Sequence, residues 1–351
     1  MKRAKTILLA VIMLFCIFKI NKFFQYSLYS QISKDFIYAQ HVGTSTHIWN
    51  SNEYNIVNYD NLFKDYTYLE GTSKHDFASG CNYPPKFIDN DHIVTGGFDG
   101  IFYINVKDQT LMRYVRMPYK AVFCFDVLDN RDIIFIFDGD IYTYDYKTDK
   151  RYKNENVNIK DIFKEYKPPV FSSCIAYSKK YNVILYNGVN YKTITETIKN
   201  TVKKYSVITS NIYAVNLNTN KVSMVGNGRL PQTDKDGNFY YADNNIIYEY
   251  FPDTNKSINI FQHVQGIFDY YSNSIRWFKK TENYIFIILD DFPNFKGTGR
   301  NVLFIYGNRK GRKVRIKVKE TISDYKYNAN DPRHPNFTGE MDIMEITENS
   351  E

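Results

Sequence analysis

The sequence predicts an all-β fold built from antiparallel sheet units repeated in series, and three observations predict it. Tyr (32) and Phe (26) are abundant in a chain of 351 residues, and aromatic residues suit a pleated, half-buried surface. Beyond the first twenty residues there is no Ala- and Leu-rich helical stretch. Short runs of alternating apolar and polar residues recur around turns rich in Asp, Asn, Thr, Lys or Gly, which is the signature of a β-hairpin.

The hairpins are Ile101–Arg116, Ile141–Tyr152, Ile212–Val225, Ile247–Phe261 and Val302–Val318. A further β-rich run precedes most of them: His92–Gly97, Ile133–Asp138, Val183–Asn187, Asn238–Ala242 and Tyr284–Leu289. Before some of these stands one more strand candidate, at Val122–Val127, Phe171–Tyr177 and Gly266–Tyr271. Three or four short strands, repeated with no helix between them, point to a ring of sheets.

The hairpins start at 101, 141, 212, 247 and 302, so the steps are 40, 71, 35 and 55 residues. A propeller blade takes roughly 40–50. The long step holds the polar stretch Val189–Val207, which reads as an insertion within one blade, and the step of 55 holds Asp290–Gly299, which reads as a loop. The expected fold is therefore a β-propeller of about six to seven four-stranded blades over 41–325. Ahead of it lie a segment at 1–24 and a linker at 25–40, and a tail at 326–351 follows. Residues 40–90 supply either a first blade or a strand that completes the last one, since a terminal strand closes the open edge of a ring. A tandem of immunoglobulin-like sandwiches is the structural alternative.

Two stretches carry a family resemblance. YNVILYNG…NIYAVNLNTNKVSMV resembles the repeat of TolB-type and related WD-like propellers. DKDGNFYYADNNIIYEYFPDTNKS (Asp234–Ser257) is similar to repeats of NHL-type six-bladed propellers. The Gly-His and Trp-Asp dipeptides of true WD repeats are absent. The resemblance implies blade geometry and no particular activity.

At the N-terminus, Lys2, Arg3 and Lys5 precede the apolar run Thr6–Phe18. Thirteen residues match a signal-peptide h-region, whereas a full span takes about 20. No small-x-small cleavage site follows, and Ile20, Phe23 and Phe24 extend the apolar length while Lys19 and Lys22 can snorkel. The expectation is an uncleaved single-pass anchor over residues 6–24, with the bulk of the chain outside the cytoplasm because the positive cluster stays inside. The alternative is a cleaved signal and a secreted or periplasmic domain. Cys16 follows Phe15, which does not suit a lipidation site.

Charge narrows the partners. The net charge is +7, but residues 1–24 hold five cations and no acid; removing those five from 45 leaves 40 bases against 38 acids. A nearly neutral domain does not favour nucleic acid, which requires a phosphate-neutralising surface. Nor does the sequence identify a metal or cofactor. The six histidines show no ligand spacing, although His41 and His47 would share a face of one strand. Asp234–Asn238 resembles half of a calcium loop, but a calcium loop's twelfth position would be Asn245, so a solvated turn between blades is the simpler account. Gly96–Gly100 reads as a tight hairpin turn with no helix to serve a phosphate. No catalytic motif is present.

The expected function is a binding or scaffold module for another protein or a glycan. The expected contacts are the exposed aromatics of the two long insertions, Tyr191, Phe292 and Phe295, and the cationic face of the Arg309–Lys319 run, Lys313, Arg315 and Lys317. An outer strand with Lys and Arg guarding its edge explains that run equally. Two other functions are open: a hydrolase, carbohydrate-active or otherwise, with carboxylates meeting at the channel mouth, and a structural part of an envelope assembly. Outside the apolar segment lie Cys81, Cys124 and Cys174, expected as free thiols, with Cys124 and Cys174 at equivalent places on the first strands of adjacent blades.

Overall fold

The computed structural model describes residues 12–17, 19–20, 23, 27, 33–42, 45–49, 54–58, 62, 85–96, 100–116, 124–128, 131–137, 139–158, 175–198, 201–264, 271–291, 301–309, 312–319 and 341–346.

Their strands form a β-propeller. Five blades are meanders of four consecutive antiparallel strands. Blade 1 holds β4 (Lys86–Asp89), β5 (His92–Gly96), β6 (Gly100–Asn105) and β7 (Thr110–Arg116). Blade 2 holds β8 (Cys124–Val127), β9 (Ile133–Phe137), β10 (Asp140–Asp145) and β11 (Lys150–Asn158). Blade 3 holds β12 (Ile175–Ser178), β13 (Val183–Ile198), β14 (Thr201–Asn216) and β15 (Lys221–Asn227). Blade 4 holds β16 (Arg229–Thr233), β17 (Phe239–Asp243), β18 (Ile246–Phe251) and β19 (Lys256–Gln262). Blade 5 holds β20 (Tyr271–Lys280), β21 (Tyr284–Asp291), β22 (Asn301–Arg309) and β23 (Arg312–Lys319).

One further four-stranded sheet is composite. It takes β24 (Met341–Glu345) from the C-terminal end and β1 (Phe36–Val42), β2 (Ser45–Trp49) and β3 (Tyr54–Asn58) from the N-terminal end, in that spatial order. Five blades of consecutive strands, with this composite closing sheet, stand in place of the expected six to seven four-stranded blades. The closing strand lies inside the expected tail at 326–351, and β1 begins inside the expected linker at 25–40. A strand lent from the far end of the chain removes the open edges that a serial ring would leave.

The turns explain the recurring motif. In the hairpin between the third and fourth strand, an Asn or Asp side chain accepts the N–H three residues on: Asn105 from Asp108 (2.9 Å), Asp145 from Thr148 (2.9 Å) and Asn216 from Thr219 (3.0 Å). The residue four beyond it has positive φ, at Gln109 (53°), Asp149 (57°) and Asn220 (56°). Asx turns of this kind prescribe such residues.

Apolar residues of facing sheets fill the gaps between blades. Phe36 and Tyr38 of the closing sheet pack with Phe286, Leu303 and Ile316 of blade 5. Ala39 and Ile48 pack with Ile93 and Phe102 of blade 1. Both flanks of the closing sheet are thus buried and the ring is complete.

The expected insertion Val189–Val207 extends the hairpin of its own blade: β13 and β14 pair without interruption from Val183↔Asn216 to Ile198↔Thr201. In the expected loop Asp290–Gly299, Asp290 and Asp291 belong to β21, while residues 292–299 lie outside the described set.

Candidate functional site

The first strands of the five blades and β24 line the axis of the ring and enclose a cavity of about 810 Å³. All six contribute, through residues such as Lys86, Asp126, Tyr177, Gln232, Lys279 and Asp342.

The lining residues form clasps between neighbouring blades. Lys86 Nζ on β4 lies 2.6 Å from Asp126 Oδ1 on β8. The other oxygen, Oδ2, accepts the Tyr177 N–H of β12 at 2.8 Å. The same arrangement recurs at the closure. Lys279 Nζ on β20 lies 2.8 Å from Asp342 Oδ1 on β24, and Asp342 Oδ2 accepts the Phe87 N–H of β4 at 3.0 Å. Each aspartate therefore ties three consecutive inner strands, with a cation on one side and a backbone amide on the other. On β16 an amide does related work, as Gln232 Nε2 donates to the Phe278 carbonyl of β20. Charge-assisted bonds of this kind are strong, and in a half-buried setting they are weakly screened.

The turn Asp234–Asn238, whose residues 234–237 also line the cavity, falls within blade 4, between β16 and β17, rather than between blades. Asp234 is engaged inside its own turn. Oδ1 accepts the Asp236 and Asn238 N–H groups (3.0 and 2.9 Å), and Oδ2 accepts Asn238 Nδ2 (3.1 Å) and the Tyr240 hydroxyl (2.9 Å). Burial, together with the bond to Asp234, holds the Tyr240 hydroxyl well above the usual phenol range. The half-calcium-loop pattern is thus a satisfied turn, and among the described residues no His, Cys, Asp and Glu cluster could hold a metal. Among the described carboxyls, Glu249 on β18 is pushed upward, first by burial and then by the Asp234 charge. It sits on the third strand of its blade, outside the cavity lining.

The sequence-derived candidates are scattered. Tyr191 lies in β13, in register with Ile208 of β14. Phe292 and Phe295 lie outside the described residues. Lys313, Arg315 and Lys317 belong to β23, the outermost strand of blade 5. Arg315 is exposed, with its guanidinium 5.5 Å from the Phe304 ring and 5.8 Å from the Tyr306 ring, while the adjacent Ile316 is fully buried. Among the described residues, the cavity lining includes none of these candidates. His41 and His47 do not share a strand: His41 on β1 is in register with Thr46, and His47 on β2 with Gln40. Cys124 opens β8, while residue 174 immediately precedes β12 and lies outside the described set, as does Cys81.

The cavity residues escaped sequence reasoning because the clasp Asp342–Phe87 spans 255 positions. One local signal was present: Asp126 stands in the short strand CFDV and Asp342 in MDIME, acids set among apolar residues where an inner strand is buried.

No known protein-family model matches the chain, and no curated protein matches it. Among solved structures, it is similar to the crystal structure of Porphyromonas gingivalis dipeptidyl peptidase 4, at 11% identity over 80% of this chain and 52% of that one, with a TM-score of 0.36. It is similar to a chain of the crystal structure of the Mitotic Checkpoint Complex, at 12% identity over 79% and 73%, with a TM-score of 0.42. A third is the extracellular domain of a putative one-component system from B. thetaiotaomicron, at 13% identity over 83% and 47%, with a TM-score of 0.34. The chain spans about half the length of the first and third of these.

Proposed function

We propose that the protein is a β-propeller held at a membrane, outside the cytoplasm, where it acts as a binding or scaffold module for a protein or glycan. The observation that carries this reading is the engagement of the axial carboxylates. Asp126 and Asp342 each commit one oxygen to a lysine and the other to a backbone amide of the next blade. A hydrolase of the two-carboxylate kind needs one acid kept protonated and another free to attack or to activate water. Carboxylates clamped in ion pairs suit a rigid scaffold instead, and rigid scaffolds bind through what they project. The surfaces this reading assigns to binding are the β13–β14 ribbon with Tyr191, the outer strand with Lys313, Arg315 and Lys317, and the expected contacts Phe292 and Phe295, which lie outside the described residues. The TolB- and NHL-like repeat pattern belongs to this reading as blade geometry.

The membrane part rests on the N-terminal segment. Residues 12–17 and 19–20 are helical, and Ile12, Met13, Leu14, Phe15, Ile17, Ile20 and Phe23 are each exposed by half or more. Among the described residues no helix is long and apolar enough to cross a membrane, and residues 6–11, 18, 21, 22 and 24 of the expected span lie outside them. Apolar surface left in water is unfavourable by roughly 25 cal/mol per Å², so an exposed row of this kind favours lipid.

The test is partner capture. Deleting 189–207 leaves Gly188 and Asn211, which already pair, joined through 208–210, a length that suits a short hairpin loop. Immobilised full-length protein should capture envelope components that the deletion variant loses while keeping its far-ultraviolet spectrum. Undiminished capture by the deletion variant rejects the ribbon as the binding surface. Hydrolysis of glycan or ester substrates that Asp126→Asn abolishes rejects the non-catalytic reading.

A further inference from the structure

The β13–β14 ribbon outgrows its blade. Tyr186, paired with Ile175, is the last residue of β13 in register with β12, and Asn211, paired with Asn227, is the first of β14 in register with β15. Beyond them, ten consecutive pairs, from Val189↔Ser210 to Ile198↔Thr201, join the two strands only to each other. Among the described residues no strand pairs with either outer edge of this stretch. At about 3.4 Å per residue, ten pairs reach some 34 Å beyond the sheet. A two-stranded ribbon alone is marginal in water and gains stability from a third and fourth strand, and each free edge offers unpaired N–H and C=O groups.

The two edges differ in sequence. β14 carries the adjacent Lys203 and Lys204 and no acid between Thr201 and Ser210, the lysine guard that natural edges use against pairing. β13 from Val189 to Ile198 reads VNYKTITETI, with one cation and one acid, Lys192 and Glu196, placed symmetrically about Ile194.

We propose that the β13 edge is a self-association surface, which takes the same edge of a second copy of this chain to form a four-stranded antiparallel sheet across a twofold axis at Ile194. In that register Lys192 of each copy lies opposite Glu196 of the other, Thr193 opposite Thr195, and Tyr191 opposite Thr197. Opposite charges in directly facing positions stabilise antiparallel pairs. Sliding the register two residues either way sets Lys192 against Ile194 or Ile198 and leaves Glu196 against Asn190 or Ile194, so the charges select one alignment. The resulting interface is isologous and closed, the common form of a homodimer, and it uses strand addition as its mode of recognition. It does not depend on the capture of another partner: a monomeric variant that still captures envelope components separates the two.

The experiment uses full-length protein in detergent, examined by sedimentation velocity. The wild type is expected to be a dimer. Lys192→Glu and Glu196→Lys each place like charges at both symmetry-related contacts and are expected to sediment as monomers. Mixed in equal amounts, the two variants set an edge with acids at both positions against an edge with lysines at both, and the dimer should return. Because Glu196 also pairs with Lys203 within the ribbon, a second measurement avoids that site. Ile194→Cys lies on the axis opposite itself, at the roughly 4.5–5.5 Å Cα separation of antiparallel partners, within disulfide range. Mild oxidation should convert most of it to a covalent dimer, whereas Val202→Cys on the guarded edge and the wild type stay uncrosslinked. A monomeric wild type, a dimer that survives Lys192→Glu, a mixture that stays monomeric, or an Ile194→Cys chain that crosslinks no faster than Val202→Cys overturns the proposal.

Discussion

Asp342→Ala removes the clasp that closes the ring. Asp342 is 9% exposed, and its two oxygens hold Lys279 at 2.8 Å and the Phe87 N–H at 3.0 Å. Truncation leaves a half-buried ammonium and a backbone donor without their acceptor. A hydrogen bond to a charged group is worth about 1.5–3 kcal/mol and an orphaned buried donor about 1 kcal/mol or more. With the water that the cavity admits, the expected loss is about 2–4 kcal/mol. For a domain of this size each kcal/mol moves Tm by roughly 2 °C, so Asp342→Ala should melt some 4–8 °C below the wild type. Asp342→Asn keeps an oxygen for the Phe87 amide and loses only the ion pair, so its drop should be about half as large. Thermal melts followed by circular dichroism provide the measurement. Combining Asp342→Asn with Lys279→Met should show non-additivity of about 1 kcal/mol, because the two residues share one interaction. An Asp342→Ala protein that melts within 1 °C of the wild type, or no differently from Asp342→Asn, would refute the view that this carboxylate closes the ring.

Three further outcomes are expected. Burial, and then the Asp234 charge, raise the Glu249 carboxyl, so the folded protein holds that proton to higher pH than the unfolded chain, where a Glu titrates near 4.3. The stability this confers is complete below about pH 4 and is lost as pH rises through the folded-state value; Glu249→Gln should therefore raise Tm at pH 7 and leave it unchanged at pH 4, and equal effects at both would reject this. A Cβ on Gly307 would stand 2.3 Å from Tyr284 Cδ1 and 2.8 Å from the Asn283 carbonyl oxygen. Gly307→Ala should thus destabilise by about 1–3 kcal/mol through overpacking, and an unshifted melt would show that blade 5 yields more easily than its geometry implies. Thiol labelling after denaturation without reductant should find Cys81, Cys124 and Cys174 all reactive, and two missing thiols would point to a disulfide.

The blade hairpins were legible because their signals are local. Ile246–Phe251 and Lys256–Gln262 are short runs rich in aromatic and β-branched residues on either side of a polar turn, and the Asx turns between third and fourth strands announce themselves in the motif. The inner strands were harder, since Lys86–Asp89, Cys124–Val127 and Ile175–Ser178 have four residues each and show no period. Of the expected strand at Gly266–Tyr271, Tyr271 opens β20 and residues 266–270 lie outside the described set. The Val189–Val207 stretch reads as an insertion within one blade, and Thr, Lys and Asn make it polar enough to hide that it is a paired ribbon. Thr, Val, Ile and Tyr also favour strands, and a two-stranded ribbon is held by its backbone pairing.

By itself the sequence determined the antiparallel units and their turns, because these follow from residues within about ten positions of one another. Only the tertiary structure decided that the two ends of the chain share one sheet, with Phe36–Val42 pairing Met341–Glu345. It alone brought Lys86 to Asp126 and Asp342 to Phe87 around the axis, and it alone left the β13 edge beyond its blade with no partner strand among the described residues. Such contacts join residues distant in the chain, and chemistry of that kind leaves no periodic trace along it.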